Sequence, residues 1–405
     1  MTLVAHPPAA SGVRRFLAKA PWATPQRLRA YAILLALAHG AALAALLWMA
    51  RSGVDARGEP LGSDFVSFWT AGRMALQGHA AAVYDPVAHL AAERAAFGTF
   101  PGWYAYFYPP MFLLVCAPLG ALPYFAALAA WLSASFAAMF AALRALSPRL
   151  VTPLTLAAFP AAFATIGHGQ NAFLTAALLA GAALTLDRRP ILAGALLGCL
   201  CFKPQILLIA PLALMLTGRW RTLAGMALSG LALAAAATLA FGLDTWTAFL
   251  AETPMTRATL ERGLVEPAKM ASVFAAVRVL GGGVAPAYLA QAVAAVAALA
   301  AFVCARPKSG RPLIALVATL ACLTTPFLLD YDLTILIVPI VVLAQDALET
   351  GFLPYEKTAL AAAFLLAEIA RPLALGLHLS LSPFVVAGLA TVTIRRFAAS
   401  KPRTP

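Results

Sequence analysis

One acidic side chain stands apart in the stretch LGSDFVSFWTAGRMALQGH, residues 61–79. Asp64 precedes Phe65, Phe68 and Trp69, whose spacing predicts a short helix with an apolar face. A carboxylate at this point can act as a general base that takes a proton from an attacking hydroxyl. It can equally cap the helix by accepting hydrogen bonds from first-turn amides. Arg73 likewise suits either a substrate contact or a charge that extends to the membrane interface.

Three further corners are polar in a chain that otherwise avoids polarity. The first, at residues 166–171, contains His168, Gln170 and Asn171, and the second contains Lys203 just before a proline. Ionisable groups at such depth in an apolar chain are costly, so a functional role is the default hypothesis. For Lys203 the alternatives are phosphate binding and interfacial anchoring. For His168 and Gln170 the alternatives are a role in a functional site and simple capping of helix ends.

The third corner reads LDYDL and contains Asp330 and Asp332. Two carboxylates can contribute to a divalent-ion site, but no further ligand is visible, and Asp332 can cap the following helix. The capping interpretation is therefore favoured, and we expect no metal. The sequence also has no phosphate-binding glycine loop, no HExxH and no GxSxG, so neither nucleotide chemistry nor these hydrolase mechanisms are indicated.

The elements that must hold these residues are membrane helices. Of 405 residues, 62% are hydrophobic and 11% are charged, and the mean hydropathy is +0.85. This composition predicts an all-α polytopic integral membrane protein with about 12 transmembrane or re-entrant helices. The net charge of +13 does not indicate nucleic acid, because the basic residues lie in short clusters between apolar runs. The apolar segments fall at 30–50, 109–143, 151–166, 171–186, 190–202, 204–217, 222–242, 285–305, 312–329, 332–345, 358–376 and 382–395.

The charge distribution predicts an orientation. With a cytoplasmic N-terminus, 19 of the 29 basic residues fall in inside segments, while most acids fall outside. We expect a multi-pass protein of the cell (inner) membrane, with cytoplasmic tails at 1–29 and 397–405 and one membrane domain at 30–396. Outer loops are then 51–108 and 243–284, so Asp64 faces outward. In the first loop, the helix after Asp64 and a second helix from Asp85-Pro86 to Phe97 are expected to lie on the bilayer surface.

An outward-facing enzyme without nucleotide needs an activated donor that is already in the membrane, and a sugar linked to a lipid phosphate is such a donor. The departing phosphate needs no general acid, whereas the acceptor hydroxyl must lose a proton. One carboxylate and nearby cations therefore suffice. By geometric analogy with inverting glycosidases, a single base predicts inversion.

Several blocks occur together in matching order. They are Asp64-Phe-x-x-Phe-x-x-Ala-Gly-Arg, Gly78 with Val83-Tyr-Asp85, Tyr108-Pro-Pro, Gly169-Gln-Asn171, Lys203-Pro-Gln205 with Gly218-Arg-Trp220, and Asp330-Tyr-Asp-Leu333. This set, from about residue 60 to about residue 345, resembles the family 87 glycosyltransferases, which are membrane enzymes of the GT-C fold. The resemblance implies a GT-C-like domain and transfer of a hexose, mannose in the best-understood members, from polyprenyl phosphate to a lipid or glycan acceptor. It also implies that Asp64 is the catalytic base.

The resemblance has one departure. The family pattern has a His near the corner that here reads Thr325-Pro-Phe-Leu-Leu-Asp330, where this chain has Phe327. The departure concerns the donor and acceptor more than the reaction class. Lys203, Gln170 and Asn171 match family positions, and their assignment to donor binding is our hypothesis.

The sequence therefore predicts an inverting, metal-independent hexosyltransferase that needs no cofactor. Asp64 is its base; Lys203, His168, Gln170, Asn171, Arg73, Asp330 and Asp332 are its candidate substrate-binding residues. The alternative from another class is a membrane transporter or lipid flippase, which Lys203 at a helical break also suits.

Overall fold

A computed structural model describes residues 12–50, 53–56, 58–100 and 102–398. Within these ranges the chain is helical, with 20 α-helices, five 3-10 helices and no strand beyond two isolated β-bridges, Val54↔Pro60 and Met270↔Leu329. The all-α prediction is thus confirmed for the described residues. Parts of both predicted tails, 1–11 and 399–405, lie outside them.

The helices follow the apolar segments predicted above. They are α1 (Gly12–Lys19), α2 (Pro25–Met49), α3 (Phe65–Leu76), α4 (Pro86–Phe97), α5 (Leu113–Gly120), α6 (Tyr124–Leu146), α7 (Pro153–Ala157), α8 (Pro160–His168), α9 (Ala172–Thr185), α10 (Pro190–Gly198), α11 (Pro204–Leu207), α12 (Ile209–Leu216), α13 (Trp220–Phe241), α14 (Asp244–Glu261), α15 (Val273–Val279), α16 (Val284–Ala305), α17 (Gly310–Thr324), α18 (Ile337–Thr350), α19 (Glu356–Leu377) and α20 (Ser382–Ala398). The 3-10 helices are Ala81–Tyr84, Pro110–Phe112, Cys199–Phe202, Pro267–Lys269 and Asp330–Leu336.

Six helical segments among the described residues are long and apolar enough to cross a membrane: Pro25–Met49, Tyr124–Leu146, Trp220–Phe241, Val284–Ala305, Asp330–Thr350 and Glu356–Leu377. The chain is therefore a multi-pass helical membrane protein. Several other apolar helices are shorter, because prolines and glycines interrupt them; the continuous run at 109–143, for example, breaks at Pro123 between α5 and α6. A total of about 12 crossings remains a prediction.

The helix after Asp64 does not have the single apolar face that we expected. Nine of the 12 residues of α3 are buried, including Ser67 and Thr70, so this helix is enclosed by protein rather than lying on a surface. Glycine makes the enclosure possible: a Cβ on Gly72 would come within 2.0 Å of the Cys116 carbonyl oxygen of α5. The predicted bounds and cap of α4 are confirmed, since it spans Pro86–Phe97 and Asp85 accepts from the amides of Val87 and Ala88; its position on the bilayer surface stays a prediction.

Helix α6 has a polar contact at each of its two ends. At one end, the start of α6 is joined to the first loop, because the Tyr124 hydroxyl donates to the Leu61 carbonyl at 2.6 Å. At the other end, Ser147 after α6 donates to Gln345 of α18 at 2.5 Å. We call the first the cavity end and the second the opposite end.

Candidate active site

A cavity of about 650 Å³ opens at the cavity end. Both predicted outer loops and all three polar corners contribute to its lining, although they are far apart in sequence. The candidate residues on its wall are Asp64, His168, Gln170, Lys203, Asp330 and Asp332. Six of the eight residues singled out from the sequence are thus brought to one cavity.

Asp64 lies in the turn that leads into α3. Its carboxylate makes no capping hydrogen bond with the helix, and its backbone is already helical, with φ −65° and ψ −22°. Instead it accepts a hydrogen bond from Gln170 Nε2 at 2.8 Å. The capping interpretation of Asp64 is therefore wrong, and its carboxylate faces the cavity with one side-chain donor.

The amide of Gln170 can present only its nitrogen to Asp64. Its Oε1 atom already accepts from the Tyr108 hydroxyl and from the Asn171 backbone amide, each at 3.2 Å. Since an amide oxygen accepts and an amide nitrogen donates, this network fixes the orientation of the side chain. Gln170 is thus a hydrogen-bond donor of fixed orientation to Asp64 and not a helix cap.

Gly169 brings this corner against the start of α3. Its φ of +64° lies in the left-handed region, and a Cβ there would come within 2.6 Å of Phe65 Cβ. The Trp131 indole donates to the Gly169 carbonyl at 3.1 Å, which anchors the corner to α6. The close approach of two backbones therefore allows Gln170 to reach Asp64.

His168 lies on the other side of the Asp64 carboxylate. Its Nδ1 atom is 2.9 Å from the Ser63 hydroxyl and 3.9 Å from Asp64 Oδ1. Its ring also lies 5.6 Å from that of Tyr331, measured between centroids. As the last residue of α8, it projects from a helix end into the cavity rather than only capping it.

Lys203 and Asp332 form a buried ion pair at the cavity wall. Each side chain is only 3% exposed, and Nζ donates to Asp332 Oδ1. The second oxygen of Asp332 accepts from the Leu329 amide at 3.1 Å, so the predicted capping role of this acid is confirmed. Asp330 Oδ1 accepts a hydrogen bond from the Tyr331 backbone amide at 2.8 Å. The positive charge of Lys203 is therefore largely compensated by a partner within the protein.

Two candidate residues do not line the cavity. Arg73 is exposed near the end of α3, and its guanidinium lies 4.8 Å from the centre of the Trp69 ring. Asn171 is fully buried behind Gln170, where its backbone amide supports the Gln170 oxygen. The exposed position of Arg73 thus favours the interfacial interpretation. Asn171 supports the site indirectly, through its hydrogen bond to Gln170.

The first loop adds an aromatic wall that our sequence interpretation missed: Trp103, Tyr104, Phe107 and Tyr108. Burial raises the pKa of the Tyr104 phenol, and its hydrogen bond to Glu59 raises it further. Burial and then the carboxylates of Asp332 and Asp64 hold the pKa of Tyr108 well above its usual value. Both phenols are therefore neutral donors at neutral pH. The block Tyr108-Pro-Pro was the available signal in the sequence.

The second loop contributes Arg257, Glu266 and Lys269, and Phe327 lines the cavity near the third corner. Residues of this loop were not singled out, because basic side chains at an interface carry no motif. Among the described residues, no three His, Cys, Asp or Glu side chains come together in a group that could hold a metal ion.

The fold and cavity define a helical, multi-pass membrane protein with a polar site at one end of its helices. The model of glycosyltransferase family 87 matches residues 106–329, which is more than half of the chain. The chain belongs to this family, and it is a membrane glycosyltransferase. No curated protein and no solved structure matches it. Asp64, Asp330 and Asp332 lie outside the matched range, and Tyr108, Gln170 and Lys203 lie within it.

Proposed function

We propose that this glycosyltransferase moves a hexose from polyprenyl phosphate to a lipid or glycan acceptor by inverting single displacement, with Asp64 as the base. The acceptor oxygen bonds to the anomeric carbon while the bond from that carbon to the phosphate oxygen breaks. The bonding pair leaves with the polyprenyl phosphate, and the acceptor proton passes to the Asp64 carboxylate. No other group has to change oxidation or protonation state.

The observation that supports this role is the position of Asp64. Its carboxylate lines the cavity, forms no helix cap and accepts from a Gln170 amide whose orientation is fixed. A base needs such a geometry, because it must stay ionised and reach the hydroxyl that it deprotonates. His168, near the opposite oxygen, can support the carboxylate or bind the acceptor.

The remaining candidates suit binding rather than proton transfer. Tyr104 and Tyr108 offer aromatic faces to a sugar, while their hydroxyl protons are donated to Glu59 and Gln170. Lys203 reaches the cavity as half of a buried ion pair, which lowers its value as a free phosphate ligand. We infer that the active site faces the outer side of the cell membrane, as the charge distribution predicts, and that no metal or other cofactor is required.

The test is turnover of polyprenyl-phosphate hexose in membranes that contain the Asp64→Asn variant. We expect the rate to fall by about 10²–10⁴-fold, the usual contribution of a positioned base. Asp85→Asn is the matched control, because Asp85 does not line the cavity and Asn caps a helix equally well. Unchanged turnover in Asp64→Asn would remove this residue from the mechanism. Uptake or lipid translocation by vesicles without glycoside formation would favour a transporter instead.

A further inference from the structure

The cavity has two walls of different chemistry. The first loop and the 168–170 corner supply Asp64, Gln170 and the aromatic wall. Leu260 and Val265 of the second loop, with Tyr288 of α16 and Phe327 after α17, supply what we call the apolar wall. Leu260 belongs to a small hydrophobic cluster that is separate from the main core, and the other three residues pack against this cluster. A ligand in the cavity can therefore contact both polar groups and an apolar surface.

The basic residues of the cavity differ in their partners. Lys203 is paired with Asp332, and Arg257 donates to Glu261 at 2.6 Å. Lys269 is the third, and within the described residues it is the one cavity-lining Lys or Arg that forms no ion pair or side-chain hydrogen bond. Its nearest acid in sequence, Glu266, has Arg371 at 4.0 Å. The positive charge of Lys269 thus has no ion-pair partner among the described residues.

The backbone beside Lys269 is fixed in place. Met270 forms an antiparallel bridge with Leu329, and the Ala271 amide donates to the Leu328 carbonyl at 2.7 Å. This bridge joins the second loop to the corner that contains Asp330, yet Lys269 forms no ion pair with that acid in the described chain. Lys269 is therefore held at the cavity by its backbone and not by a partner for its charge.

Resting on the function proposed above, we propose that Lys269 binds the phosphate of the polyprenyl-phosphate donor, with the first isoprene units along the apolar wall. A phosphate that carries a lipid chain needs one cation next to an apolar surface, and Lys269 with Leu260, Val265, Tyr288 and Phe327 supplies both. The sugar then extends from the phosphate towards Asp64 and the aromatic wall. Lys203 has a different role: with Asp332 it joins the second corner to the third.

The experiment measures equilibrium binding of radiolabelled polyprenyl monophosphate, the reaction product, to the purified full-length protein without turnover. Lys269→Gln should weaken binding by about ten- to hundredfold, the range expected for loss of one charged contact. Lys269→Arg keeps the charge and should bind nearly as wild type does. Arg262→Gln is the matched control, because Arg262 is an exposed base of the same loop outside the cavity lining.

Each outcome has one interpretation. Equal binding by Lys269→Gln and wild type would overturn the role of Lys269 and leave the proposed function intact. No binding by wild type would overturn the proposed function as well. Uncharged polyprenol should compete only weakly. If it competed as strongly as polyprenyl phosphate, the protein would recognise only the lipid chain, and the role of Lys269 would be overturned. Inorganic phosphate that competes as well as the lipid would overturn the assignment of the apolar wall.

Discussion

The two polar ends of the helices use charged residues differently. At the opposite end, Arg396 donates to Asp346 at 2.8 Å, to both oxygens of Glu356 at 2.8 and 2.5 Å, and to the Gly351 carbonyl at 2.8 Å. At the cavity end, Asp64 has one side-chain hydrogen-bond donor, and Lys269 has no ion-pair partner among the described residues. Charges that are fully bonded join helices to each other, whereas charges with free capacity remain available to a substrate.

The largest effect on stability is expected at the opposite end, from Arg396→Met. This change leaves the Glu356 side chain, which is 1% exposed, as a buried charge without its cation. The free energy of unfolding should fall by about 3–5 kcal/mol. This free energy is measured by unfolding the detergent-solubilised protein. Turnover per folded molecule should be unchanged.

The matched control for that variant is the neighbouring Arg395→Met. Arg395 is exposed and makes one long hydrogen bond, 3.3 Å to the Pro354 carbonyl. A surface change of this kind should alter stability by less than about 0.5 kcal/mol. If both variants were equally stable, Arg396 would not be the residue that holds this end together.

A smaller effect on stability, with a larger effect on activity, is expected from Gly169→Ala at the cavity end. Alanine would need φ near +64° and would place its Cβ 2.6 Å from Phe65 Cβ. The strain should cost about 1–3 kcal/mol and move Gln170 away from Asp64. Turnover should therefore fall more than the folded fraction does.

Gly167→Ala is the control for Gly169, because a Cβ on Gly167 meets no atom within 4 Å. Gly167 lies inside α8, where alanine is the better helix former, so this variant should be as stable as wild type or slightly more stable. Equal activity losses in the two glycine variants would show that the close approach of Gly169 to α3 is not what holds Gln170.

The smallest effect is expected from Asp187→Asn at the opposite end. Asp187 pairs with Arg219 at 2.8 Å, but its side chain is 51% exposed, and an exposed pair contributes at most about 1 kcal/mol. Asparagine can also still accept the Gly310 amide, which lies 2.7 Å from Asp187 Oδ2. Stability and turnover should both stay near wild type; a large loss of turnover would contradict the division between the two ends.

Much of this organisation could be predicted from the sequence, since apolar runs and the positions of charges between them are local properties. The bounds of helix α4 and its Asp85 cap are as predicted, because a cap needs only residues two and three positions away. The burial of α3 could not be predicted in this way. It depends on Gly72 lying against Cys116, which is a contact between segments more than 40 residues apart in the numbering.

The sequence by itself determined the class of protein, through its hydropathy, and the family, through motifs kept in order along the chain. It also indicated which polar residues lie where an apolar environment makes them energetically costly: Asp64, His168, Gln170, Lys203, Asp330 and Asp332. The tertiary structure decided which of these charges are already satisfied. It paired Lys203 with Asp332, aimed Gln170 at Asp64 and left Lys269 with free capacity at the cavity. Hydrophobic periodicity is read along one segment, whereas the partner of a charge is set by segments that meet only after folding.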